Sequence, residues 1–174
     1  MNAADEHKAL IAALDSYRSH IDEIEDEEFT QTPPIGGWSY AEVYSHIMQA
    51  SLGSSIAAEK CCNKTGVNTT KGLNFRGMLM FLMGRFPPVK LKAPDALDGI
   101  TKKISKEEAR NLIIRLRKRL DELWPKVHDA ADCYKISHPR LGMLNARQWM
   151  KFTRIHLQHH LKQINRINKS FPQG

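Results

Sequence analysis

The sequence predicts an all-α protein, a single four-helix bundle, on three observations. Four stretches space apolar residues by threes and fours, the period of one helix face. Three of those stretches open on a capping signal. The 174 residues, 41% of them apolar, are enough for one packed core and too few for two ordinary domains, so residues 1–174 read as one domain.

The first stripe is Leu10, Leu14, Tyr17, Ile21 and Ile24. The acidic run Glu25 to Glu28 that follows would oppose the dipole at a helix C-terminus, so the helix should finish before it. Pro33, Pro34, Gly36 and Gly37 then mark a loop. Ser39 and Glu42 form a capping box, which starts the second helix at Trp38 to Tyr40. Its inner stripe, Val43, His46, Ile47, Ala50, Ser54 and Ala57, sets small residues and a histidine where branched aliphatics would be usual, and it should fray near Cys61 to Lys64.

The stretch from Gly72 to Ala93 is rich in Met and Phe and is broken by Pro87 and Pro88, which suggests a short helix near Phe75 to Gly84 inside a long crossover. Ser105 and Glu108 open the third helix, with the stripe Ala109, Leu112, Ile113, Leu116, Leu120, Leu123 and Val127. Pro125 should kink or stop it. Tyr134 to Leu144 reads as a loop. Asn145, with Gln148 in the third position, caps a last helix running to about Lys169, whose inward stripe is Trp149, Phe152, His156, His160, Ile164 and Ile167.

Composition removes several function classes. The longest apolar stretch, Met78 to Met83, is far below the roughly 20 residues of a membrane span. The first residues lack the basic-then-apolar order of a secretory leader, which leaves the cytoplasm as the expected address. The cysteines, with Cys61 and Cys62 adjacent, suit neither a disulfide framework nor a zinc knuckle and read as reduced thiols. The net charge of +7 is uneven: residues 1 to 30 carry nine acidic and two basic side chains. An acidic first helix beside basic neighbours follows. Arg115, Arg117, Lys118 and Arg119 have no interleaved aromatics, which disfavours nucleic acid as a partner.

His156 and His160 lie one helical turn apart, close enough to share a cation. His46 is the other histidine on the inner face of a long helix. Three histidines would leave a fourth coordination position open, the pattern of catalytic zinc. Spacing alone is a weak signal, and a buried, mutually satisfied histidine cluster fits it too. His159 is rotated about 100° from His160 and should not share the ion. It and Gln163 read as outer-sphere or surface groups, and His7, His20, His128 and His138 as surface or loop histidines. No inner carboxylate suggests a general base; Tyr40, Tyr44 and Gln49 are nearby polar groups only, so no catalytic residue is assigned.

Gly37, Trp38 and Ser39 leading to His46, the run His138, Pro139, Leu141, Gly142, Leu144 to Trp149, and the closing set His156, His159, His160 and Gln163 together resemble the DinB-like, or damage-inducible-type, superfamily of metal-dependent enzymes, which includes bacterial thiol S-transferases. The resemblance spans residues 36 to 169. It implies an up-down-down-up bundle with a long crossover after helix two. It also implies a divalent ion, nickel or zinc foremost, held by His46, His156 and His160. A small-molecule substrate follows, with a low-molecular-weight thiol as cosubstrate or water for hydrolysis. The alternative is a non-catalytic binding bundle, dimeric through Phe81, Leu82 and Met83, with a structural or vestigial histidine cluster.

Overall fold

In a computed structural model, which describes residues 3–87 and 101–172, the elements in chain order are α1 (Ala3–Glu23), α2 (Asp26–Thr30), α3 (Tyr40–Cys62), β1 (Val67–Asn68), α4 (Phe75–Met83), α5 (Lys106–Asp129), β2 (Tyr134–His138), β3 (Gly142–Leu144) and α6 (Ala146–Asn168). Crossover residues 88–100, with the break read at Pro88, lie outside the described residues.

The long helices α1, α3, α5 and α6 form the bundle. All three capping boxes are made: Ser39 with Glu42, Ser105 with Glu108, and Asn145 with Gln148. Each satisfies two amides that a helix start leaves without partners. α1 stops before the acidic run, and that run becomes α2, where Asp26, Glu27 and Glu28 occupy the first turn and meet the favourable end of the dipole. Pro125 does not stop α5, which runs on to Asp129. It sits one turn from the C-terminus, where few later amides depend on the helix continuing.

Directions follow from paired contacts. Glu6 meets Arg154 and His20 meets Asn165, so α1 and α6 run parallel. His7 faces Asp121 and Asp22 faces Arg110, so α1 and α5 run antiparallel. Cys61 at the end of α3 reaches the Leu144 carbonyl before α6, while His46 near its start meets His156, so α3 opposes α6. The bundle is therefore up-down-down-up, and the two down helices require the long return between them.

The core is the apolar stripes read from the sequence, with Leu10, Tyr17, Ile21, Ile47, Leu116, Leu120 and Ile164 fully enclosed. Ser51, Ser54, Ser55, Ala57 and Ala58 keep the inner side of α3 thin, letting its neighbours approach closely. Tyr44 donates to the Tyr17 carbonyl and Tyr17 to the Leu157 carbonyl, both at 2.8 Å, which links α3, α1 and α6 through their buried hydroxyls. The charge asymmetry is used as expected. Arg110 pairs with Asp22, Arg117 with Asp15 and Lys106 with Asp26. Arg117 also pairs with Asp121, and Arg119 with Glu59 and Ser55, so much of the basic cluster on α5 is neutralised internally.

Within the segment read as a loop, the chain forms strands. Ile136 pairs with Leu144, Ser137 with Met143 and His138 with Gly142, and β1 joins β2 through Val67 with Lys135 and Asn68 with Tyr134, giving a three-stranded antiparallel sheet ordered β1-β2-β3. The alternation Tyr134, Ile136, His138 is a strand period, but Pro139 and Gly142 so close to it make the stretch look like a turn. Gly142 has φ +90°, and a Cβ there would lie 2.6 Å from the Gly72 carbonyl oxygen. Gly142→Ala is accordingly expected to cost about 1–3 kcal/mol and several degrees of melting temperature, measurable by thermal circular dichroism. An unchanged melting curve would mean the turn tolerates a side chain.

Candidate metal centre

Three imidazoles meet between α3 and α6. The capping box at Ser39 fixes where α3 begins and so turns His46 inward, and the one at Asn145 does the same for His156 and His160. The Nε2 atoms converge: His46 to His156 at 3.4 Å and His160 to His156 at 3.1 Å. Taken with one ligand atom each, the three lie within 4.8 Å of one another. Two nitrogens held tetrahedrally at about 2.0–2.1 Å from a zinc ion are themselves roughly 3.3–3.4 Å apart. The cluster is consistent with a metal site.

Protonation favours the same arrangement. His160 Nδ1 lies 2.8 Å from Gln163 Oε1, an acceptor that places the ring proton on Nδ1 and leaves the Nε2 lone pair facing its neighbours. Burial, then the neighbouring His46 and His159, push the His160 pKa down to about 3. Burial and then His160 hold His156 well below the usual histidine range, and burial followed by His159 lowers His46. All three rings are therefore neutral at physiological pH, the form that binds metal.

Aromatic rings wall the cluster. Trp38 stands 5.1 Å from His46 and lies nearly parallel to His160, at 10° and 6.4 Å. Phe152 and Phe86 flank His156 at 5.3 and 5.7 Å, and Phe86 also packs against His159 at 4.8 Å. Phe86 belongs to the crossover. Trp38 stands just ahead of the capped helix, and sequence reasoning used it only as a landmark of the helix entry. His159 is exposed and offers no ligand to the three-ring cluster.

His138 departs from the surface-or-loop reading. It ends β2, half-buried, with its ring 4.6 Å from Phe152 and 5.3 Å from Trp149. Burial and Arg140 lower its pKa to about 4. The nearby polar groups lie elsewhere: Tyr44 is spent on the Tyr17 carbonyl, Tyr40 stacks on Phe171, and Gln49 is exposed and bonded to Ser45. Every charge that shifts the site's histidines is another histidine, an arginine or a lysine, Arg166 and Lys162 acting on His159. Among the described residues no acidic side chain shifts them.

A family model described as the DinB superfamily matches residues 9–164. The chain belongs to the DinB superfamily. Its fold is shared by a solved four-helix bundle protein, TT2238, at 18% identity and TM-score 0.60, over 95% of this chain and 99% of that one. It is also shared by mycothiol-dependent maleylpyruvate isomerase, at 12% identity and TM-score 0.63, over 92% of this chain. This DinB chain spans 60% of that enzyme's length. No curated protein matches its sequence. Among the described residues no helix is long and apolar enough to cross a membrane.

Buried neutral histidines are one expected source of acid sensitivity in this DinB protein. His138 and His160 titrate near 4 and 3 when folded and near 6.5 when unfolded. Between those values the unfolded chain binds protons that the native state does not, so stability falls as pH drops below about 6.5, each ring contributing at most about 1.4 kcal/mol per pH unit. Urea unfolding of chelator-treated protein from neutral to acidic pH should show that slope, and a flat profile would contradict neutral burial.

Proposed function

We propose that the protein is a divalent-metal-dependent enzyme that transfers a low-molecular-weight thiol to an electrophile, with nickel or zinc held by His46, His156 and His160. The observation that carries this reading is the convergence of three Nε2 atoms at 3.1 and 3.4 Å. A metal with three protein ligands keeps a position open and turns a bound thiol into thiolate. The chain's own residues do the rest. Gln163 holds the His160 tautomer, Trp38, Phe86 and Phe152 limit water, and the positive neighbours of His159 favour an anionic cosubstrate. The thiol is suggested by a structural neighbour that by its name depends on mycothiol. Hydrolysis by metal-bound water is the other chemistry such a site supports. A thiol cosubstrate and unpaired cysteines agree with a cytoplasmic address.

The test is turnover of metal-loaded protein with glutathione-, bacillithiol- and mycothiol-type donors against a panel of electrophiles. Activity lost in His46→Ala is expected; no turnover with any donor would end the transferase reading.

One observation bears on the dimer contact of the alternative reading. Phe75, Met78, Leu79 and Leu82, spaced as one face of α4, are exposed, Leu82 at 86%. That face is a candidate homodimer contact, now centred on these residues with Leu82 shared, and sedimentation across concentration tests it.

A further inference from the structure

The backbone amide of Arg140 donates to His138 Nδ1 at 3.1 Å. An imidazole nitrogen that accepts cannot carry the proton, so the neutral ring is fixed as the Nε2–H tautomer. The fixing is local and rigid, because the amide lies two residues on, inside the β2–β3 turn that the His138 and Gly142 pairing closes. Trp149 and Phe152 hold the ring plane from α6, at 43° and 66°. Among the described residues nothing accepts from Nε2.

The ring is therefore a hydrogen-bond donor of set direction, one aromatic ring removed from the histidine cluster: His138 packs on Phe152, and Phe152 packs on His156. Arg140 adds positive charge beside it. Among the described residues the rings beside the donor are apolar, Lys162 and Arg166 act on nearby His159, and no acidic side chain shifts any of these histidines, a setting suited to an anion with a flat or apolar body.

We propose that His138 is a specificity-determining residue that donates from Nε2–H to a carboxylate of the ligand, selecting substrates that carry an acid group on an apolar or aromatic body. A point donor fixed by a backbone bond discriminates strongly, since a ligand without the acceptor leaves the donor unpaired. The role of His138 presumes that the three-histidine cluster is the ligand's other anchor, as proposed above.

Benzoate is the probe, titrated into zinc-loaded protein labelled with ¹⁵N-histidine, with zinc content measured on the same samples. Wild type is expected to show His138 protonated on Nε2 near neutral pH and to shift that signal on benzoate addition. His138→Phe, which keeps the ring packing and removes the donor, should bind benzoate about tenfold or more weakly, as expected for a lost bond to a charged group. His138→Gln, which keeps a donor, should stay within about threefold. Benzamide should bind more weakly than benzoate. An Nδ1-protonated His138, no benzoate binding by wild type, or equal affinity in His138→Phe would each overturn the assignment. Protein that fails to take up zinc when loaded, yet still shifts at His138 on benzoate addition, would sink the metal reading and leave the donor role standing.

Discussion

Wild-type protein made without a polyhistidine tag is expected to purify with near-stoichiometric metal, and His156→Ala protein without it. His156 is the middle ring, with its Nε2 facing those of both His46 and His160. Removing it leaves two rings with no nitrogen between them. Loss of an outer-sphere partner typically weakens metal binding 10- to 100-fold, so if His156 is a ligand as proposed its loss should cost more than about 100-fold. Plasma mass spectrometry of both proteins, before and after addition of nickel and zinc, decides the matter. Equal metal in wild type and variant would place the ion elsewhere, and metal in neither would leave a satisfied histidine cluster and a binding bundle.

Glu6→Ala is expected to be the most destabilising single change away from the site. Glu6 and Arg154 form an ion pair with side chains only 11% and 6% exposed, and Arg154 also bonds Gln158. Deleting one partner strands a buried charge, at a cost of about 3–5 kcal/mol. For a chain of this length that corresponds to a melting temperature lower by roughly 10 °C. The double variant Glu6→Leu with Arg154→Met should recover much of the loss, since it removes both charges and keeps the volume. A double variant as unstable as the single one would show that packing, and not the unpaired charge, carries the effect.

The helices were legible because each announces itself twice, by its stripe and by its cap. Leu10 to Ile24 and Ala109 to Val127 read as stripes and are buried or half-buried as such. The DinB resemblance held, and with it the bundle's topology. Histidine position was legible for the same reason: His46, His156 and His160 interrupt stripes whose phase the apolar residues set. The strands were not, since they are two, five and three residues long, Pro139 and Gly142 make the β2–β3 hairpin look like a loop, and β1 meets β2 only across the crossover and α5. His138 was missed with them. Its burial comes from Phe152 and Trp149 on α6, a contact made only when the hairpin folds back. The Glu6 and Arg154 pair was hidden likewise, its partners being 148 residues apart.

The crossover is fastened through its backbone: the Asn74 amide to the Leu141 carbonyl, the Met143 amide to the Gly72 carbonyl, and β1 along β2. Peptide groups are the same whatever side chain they carry, so such a clasp places few demands on residue identity outside the glycines. Phe86 reaches the histidines from this segment, so the ring beside them can be changed by point substitution while the clasp stays constant. The crossover's share of the ring wall around the histidines can therefore diverge between proteins with this bundle without disturbing the helix pair that carries them.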